Sequence, residues 1–562
     1  MCVGTAACYD GPGRESFGPD PGADDGEDGS ADEGGNDGGD EPIPPSQPLC
    51  SGDAHDVPGP RLLRRLTVAE YELSVRHALA LDEASWGGPT LSPDPAASTG
   101  YTNDAERLRV GEAHAAALET NAIQLANLVS TPERLATLLP CANEGGLGCA
   151  EQLLDGPARR LFRRTLRDEE RARYLALLDE VEAQGGQFED WVQWTVQTLL
   201  QSPHFVYRSE LGEASEQDEG WYDLSGPEVA TLLAFALTGA PPDDALLDRA
   251  EAGELDTPEA IAAVAAELAF DASGSARPKL RQRLQEFHRQ WLGLSTLPNL
   301  QKDPERYPGF SDEVKASMAA EIEAFVDDVV FGEQGDVTTL LTADHSHVDA
   351  TLAAYYGYGD GAGATAKPPG WGVGLLSLGG VMATHSTYLA TSPTQRGKLV
   401  RSRLLCTELP PPPPDVGELP PPEATQTTRQ RYEEHVADPS CAGCHTFIDP
   451  IGFGLEGLDA SGRHRSAENG FALDLSGLVE NLDGETVTFE GATELAEALA
   501  GAETPALCMS AHMATFALGL SPEQTECIVG GPAAALAAGD MGIAQTYVAF
   551  AETPHFWRRQ NR

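Results

Sequence analysis

The chain has 562 residues, with 37 Lys and Arg against 88 Asp and Glu, a formal net charge of −51. Charge of this sign and size repels a phosphate backbone and excludes nucleic acid as a partner. Hydrophobic residues at 41% and charged residues at 22% are ordinary globular usage, which excludes a wholly disordered or fibrous chain, and no apolar run is long enough for a membrane-spanning helix.

Residues 1–60 hold fourteen acidic residues and a single base, Arg14, among many Gly and Pro, so they bury too little apolar surface to order and read as a tether. Thr5-Ala6-Ala7 precede Cys8 as small residues precede a lipidated cysteine, which makes Cys8 a lipid-anchor candidate and lipid the expected route to a membrane. From Leu62 to Leu79, apolar residues recur at helical spacing. The windows 104–138, 151–184, 188–201, 225–238, 257–271, 278–292 and 311–331 repeat the pattern. Ser225-Gly226-Pro227-Glu228 supplies a capping box with an early proline, and Pro203 closes the helix before it. Trp191, Trp194, Phe205 and Tyr207 fit core packing better than sugar stacking. His345-Ser346-His347, flanked by Asp344 and Asp349, has metal-ligand chemistry, with a solvated loop as the simpler expectation. Five prolines, Pro410 to Pro414, and three more at 420–422 form a stiff connector. Alternation returns only at Phe471 to Leu475 and Glu485 to Phe489, with a turn at Leu482-Asp483-Gly484.

The expected fold is mainly α. A multi-helical body is followed by a C-terminal cytochrome c-like helical module with a small β-hairpin. The expected segments are a tether (1–60), an N-terminal helical domain (61–210), a central helical domain (211–390), a connector with a haem-binding segment (391–465) and a helical domain completing the module (466–562).

The most informative residues are Cys441-Ala442-Gly443-Cys444-His445. Two thiols three apart lie on one side of a helical turn, where both can bond haem vinyl groups, and the next imidazole can then reach the iron. A thioredoxin-like pair, half of a zinc site and an empty Cys441–Cys444 disulfide are the alternatives. No Gly-x-Ser-x-Gly, phosphate-binding loop, dinucleotide fingerprint or His-Glu-x-x-His is present, so the usual signatures of hydrolases and nucleotide enzymes are missing. Whether the protein is an enzyme stays open.

The segment from Cys441 to Arg463 resembles the signature of a large, planctomycete-type family of exported bacterial proteins built from consecutive domains of unknown function with an embedded cytochrome c motif. Arg64 to Tyr71, Phe162 to Leu166, Ser202 to Arg208, Thr391 to Gly397 and Phe516 to Gly519 resemble the same family in the same order. The resemblance implies covalent haem c at Cys441 and Cys444 with His445 as proximal iron ligand, and Asp449, Pro450 and Gly452 shaping the loop beneath the porphyrin edge. Met509, Met513, Met382 and His385 are distal candidates. His435, which also matches the family pattern, is expected to pack or hydrogen-bond.

The functional expectation is an exported cytochrome-like protein in electron transfer with a redox partner protein, in the periplasm or at the cell surface. The alternative is a haem-free envelope binding or scaffold protein. After the haem thiols, Cys8 and Cys2 are set aside, six cysteines remain. Cys141 and Cys149 flank a Gly-rich loop, Cys508 and Cys527 flank one helix and a turn, and Cys50 and Cys406 pair by elimination.

Overall fold

Buried arginines fix how the helical body begins. The computed structural model describes residues 59–83, 91–95, 99–358, 363–407, 409, 421–436, 439–521, 525 and 530–560, with backbone alone at 434–436 and 439–441. Leu62–Arg65 is a strand (β1), although Leu62 and Leu63 sit at helical spacing from Leu66. It pairs antiparallel with a second strand, Tyr207–Glu210. The reason is electrostatic. Arg64, Arg208 and Arg559 converge on Glu210 at 3.1, 3.6 and 2.6 Å, and Arg65 reaches Asp94 at 2.6 Å, all with buried side chains. Burial alone would raise the Glu210 pKa; Arg64, Arg559 and Arg208 overrule it and hold the carboxyl at about 2. An extended strand delivers alternate side chains to this cluster, which a helix could not do.

The first helix then runs Val68–Ala78 (α1), opened by a capping box between Thr67 and Glu70. The 104–138 window divides into helices Glu112–Val129 (α2) and Pro132–Leu138, because Pro132 at a first-turn position starts a new helix. The 151–184 window divides too. A π-turn at Leu154–Ala158 carries Pro157, and Arg163 adopts left-handed backbone (φ 56°) before the helix Asp168–Ala183. Phe188–Gln201 (α3) and Gly226–Thr238 (α4) follow, the second with its Ser225–Glu228 box formed. Pro258–Ala269 (α5), Pro278–Trp291 (α6) and Asp312–Val330 (α7) complete the periodic windows. The described chain is mainly α, with small sheets only.

Two hydrophobic clusters form the interior. One takes residues between Leu66 and Val206, joined by Phe235 of α4; Trp191 and Phe205 are buried in it, while Trp194 is 53% exposed. The other takes residues between Leu224 and Phe556, joined by Tyr101. The segments 211–390, 391–465 and 466–562 all contribute to this second cluster. Arg558–Gln560 pairs with Gly59–Pro60 and with Trp221–Asp223, so both ends of the described chain meet in one four-stranded sheet.

The C-terminal elements position the Cys-x-x-Cys-His segment. They are the helices Pro393–Leu399 (α8), Thr428–Val436 (α9) and Pro439–Phe453 (α10). Apart from them, the strands His345–Val348 (β2) and Gly363–Ala366 (β3) pair antiparallel. A second hairpin, Ser476–Leu482 (β4) with Glu485–Glu490 (β5), turns through Asp483 and Gly484, both at positive φ (51° and 86°). Its first strand begins after Leu475, while Phe471–Ala472 is a strand of its own that pairs with Ala467–Glu468. Helix Thr504–Leu518 (α11) lies in the second cluster.

Candidate haem-attachment site

The Cys-x-x-Cys-His residues lie in the first turns of α10, so Cys441 and Cys444, three apart, share a side of the helix. The Cys444 thiol is exposed and free. Of Cys441 and His435 only the backbone is described. Cys8, Cys50 and Cys527 lie outside the described residues, as does the run Pro410 to Pro414.

His445 is held from behind. Its Nδ1 lies 2.8 Å from Asp449 Oδ2, one helical turn on, and 3.4 Å from Thr394 Oγ1, while Thr394 donates to Asp449 Oδ1 at 2.7 Å. Asp449 is 1% exposed. The hydrogen bond from Nδ1 to this carboxylate lifts the His445 pKa above the usual imidazole value, against the pull of partial burial. In the neutral ring it also places the proton on Nδ1, so Nε2 carries the lone pair.

Thr394 belongs to α8, and α8 and α10 touch backbone to backbone. A Cβ on Gly397 would collide with the Ile448 carbonyl, and a Cβ on Gly452 with the Pro393 carbonyl. Glycine is therefore required at both positions of the crossing. Arg396, fully buried, fastens the far end: its guanidinium donates to the carbonyls of Leu455 (2.6 Å), Leu458 (2.8 Å) and Asp459 (3.1 Å), and pairs with Glu456 at 3.3 Å. Glu456 also takes Arg465 at 2.7 Å and the Thr391 hydroxyl at 2.5 Å. Arg401 stacks on Phe447 from 3.5 Å and donates to its carbonyl, and Arg429 covers Phe453 at 4.3 Å. The Thr391–Gly397 and Cys441–Arg465 segments are thus one structural unit, legible in sequence only as two separate motifs.

A cavity of about 590 Å³ lies beside this unit, lined by Pro450, Phe453, Leu478 and Phe489 among others. Pro450 is about 140° around the helix from His445, so the cavity opens on another face and does not include the motif. The motif itself fits a covalently attached haem: an exposed, unbonded thiol at Cys444 and an imidazole oriented through Nδ1. Asp449 and Gly452, expected to shape a loop, are on the helix and act through His445 and the α8 crossing respectively.

The distal candidates are engaged elsewhere. Met382, Met509 and Met513 are fully buried, the two on α11 in the second hydrophobic cluster with Met382, and a porphyrin over any of them would require that cluster to open. His385 Nε2 is 2.9 Å from the Leu292 carbonyl.

The cysteine pairing differs from expectation at two of three bonds. Cys141 and Cys149 are joined, with Gly145 and Gly146 at positive φ in the loop between them. Cys508, however, bonds Cys406, not Cys527, and Cys406 is thereby withdrawn from Cys50. The cause is tertiary: α11 packs on the π-turn Val400–Leu404, which ends two residues before Cys406. His345 and His347 meet a carboxylate, but a distant one. Asp349 caps the helix Ala350–Tyr356, while Asp328 of α7 faces both imidazoles. Asp328 escapes a reading of the sequence alone; its place on the helix face seven residues after buried Glu321 is the available signal.

Four family models match the chain in succession, each described as a protein of unknown function: DUF1587 over residues 64–131, DUF1595 over 149–210, DUF1592 over 224–358, and DUF1588, named PSCyt3, over 373–468. No curated protein and no solved structure matches. The last model spans α8, α9 and α10, the unit just described. The chain therefore belongs to the family of proteins built from these consecutive domains of unknown function.

Proposed function

We propose that this protein is a c-type cytochrome-like electron-transfer protein of the cell envelope, with haem c bonded to Cys441 and Cys444 and His445 as proximal ligand. The observation that carries the reading is the pairing of an unbonded, exposed Cys444 with a His445 whose Nδ1 is tied to buried Asp449. Such a hydrogen bond orients a ligating imidazole and raises its basicity. The PSCyt3 name of the model over 373–468 supports the same reading. Haem would supply one-electron exchange at iron. The chain's own residues hold the imidazole in place, brace α10 through Gly397, Gly452 and Arg396, and keep a charged carboxylate behind the ligand. With Met382, Met509, Met513 and His385 engaged in the core, no distal ligand is named.

Disulfides Cys141–Cys149 and Cys406–Cys508 support maturation in an oxidising, extracytoplasmic compartment. Attachment through lipid at Cys8 and a redox partner protein complete the proposal. Among the described residues no helix is long and apolar enough to cross a membrane. The test is intact-mass analysis after export with the cytochrome c maturation machinery. The wild type should carry one haem, Cys444→Ser should retain less, and His445→Ala should lose the absorption bands of a histidine-ligated haem. A wild-type mass equal to the bare polypeptide refutes the assignment.

A further inference from the structure

His345 and His347 stand two apart on β2, so their rings leave the strand on one side, while Ser346 between them points to the other. Ser346 donates to Glu321 of α7 at 2.5 Å, and Tyr356 donates to the same carboxylate at 2.9 Å. Two helical turns further along α7, Asp328 Oδ2 lies 2.8 Å from His345 Nε2 and 3.2 Å from His347 Nε2. The buried Ser346–Glu321 contact thus locks the strand in the register that aims both imidazoles at Asp328. All three ligand atoms fall within 4.8 Å of one another, and the two rings stand nearly perpendicular, centroids 5.7 Å apart.

We propose that Asp328, His345 and His347 form a mononuclear site for a divalent first-row transition metal of the Zn²⁺ type. Tetrahedral zinc with ligand bonds of about 2.0–2.2 Å sets ligand atoms about 3.3 Å apart. The 2.8 and 3.2 Å separations reach this with shifts of a few tenths of an ångström. Two imidazoles and one carboxylate suit zinc and its neighbours, whereas calcium and magnesium favour all-oxygen shells. Entry is open, since the side chains of His345, His347 and Asp328 keep 31, 20 and 48% of their exposure. Asp344 Oδ1, 3.8 Å from His345 Nδ1, places a carboxylate behind one ligand. Three protein ligands leave coordination positions for water, and the acidic surface raises the local cation concentration. The site is separate from the haem motif and does not rest on it.

The test uses the full chain, freed of metal with a chelator, titrated calorimetrically with Zn²⁺ and spectroscopically with Co²⁺ in the presence of excess Ca²⁺ and Mg²⁺. The wild type should bind one Zn²⁺ unaffected by Ca²⁺ and give a tetrahedral Co²⁺ visible band without sulfur charge transfer. Asp328→Asn and His347→Gln should each weaken Zn²⁺ at least tenfold, while circular dichroism and the metal-free Tm stay close to wild type. Where Asp328→Asn alters the fold, partly exposed His347→Gln decides. Equal affinity in wild type and His347→Gln, or no Zn²⁺ uptake by the wild type, overturns the site; the plain hydrogen-bonded His–Asp–His cluster is then what remains.

Discussion

Gly452 and Gly397 are the residues where the haem-motif unit is least forgiving. Each lets one helix backbone rest on the other, and a methyl group at either would strike a carbonyl that a rigid helix cannot withdraw. Gly452→Ala should therefore destabilise the protein by about 1–3 kcal/mol, the range of an overpacked core, and lower haem yield; denaturant unfolding and haem per protein measure both. Arg396 carries a different penalty. Replacing it with Met takes the guanidinium hydrogen bonds from three carbonyls, of which those of Leu455 and Asp459 keep a backbone donor, and one of its two arginines from Glu456, a loss of about 3–5 kcal/mol by analogy with broken buried pairs. Arg396→Lys should recover little, because an ammonium cannot span the fan of acceptors that a guanidinium fork does. If Lys restores wild-type stability, the fan is not what holds α10.

Among the elements, the Cys406–Cys508 bond joins the end of the π-turn after α8 to α11 across 102 residues. Closing a loop of that length restricts the unfolded chain, worth about 5 kcal/mol at most in the entropy model and more often about 2–4. Cys508→Ser should lower the midpoint of unfolding accordingly, and non-reducing peptide mapping should join Cys406 to Cys508; a Cys508–Cys527 peptide would contradict the structure. The same bond shows what sequence could carry. Helices α3, α4, α5, α6 and α7 were legible because periodicity, caps and prolines are local signals, and the Asp483-Gly484 turn was legible because only a few residues accept positive φ. The Cys-x-x-Cys-His motif was legible by spacing alone. Its supporting residues were not: Thr394 meets Asp449 of α10, and Arg396 the turn that follows it, across more than fifty residues. Nor was Asp328, which meets His345 from another element. Strand β1 carries helical spacing in its sequence yet is extended, because its conformation answers to buried charges rather than to apolar periodicity.

For the whole molecule, buried neutral histidines set the response to acid. His288 is 1% exposed, bonds Leu284 through Nδ1, and has no partner at Nε2, so protonation would bury an uncompensated charge. Burial pushes its pKa down to about 4; His385 and His512, each bonded to a backbone carbonyl, are likewise lowered to about 4 and about 3. Below about pH 6.5 the unfolded chain takes protons that these folded rings refuse. Stability should thus fall as pH drops from about 6.5 toward 4, by up to about 1.4 kcal/mol per pH unit for each histidine that stays neutral. Urea unfolding across that range checks it, and a slope unchanged by His288→Gln would show that His288 is not among the groups responsible.

Covalent haem at Cys441 and Cys444 is the assignment on which the proposed electron transfer depends. A pyridine haemochrome spectrum meets it head-on, taken on the purified full-length protein, exported in a host with the cytochrome c maturation machinery and washed with acidified organic solvent to remove loose haem. The expected outcome is a haem c spectrum at one haem per chain that persists through the wash; a protein that is folded, with Cys141–Cys149 and Cys406–Cys508 formed, yet shows no haem absorption would contradict the assignment.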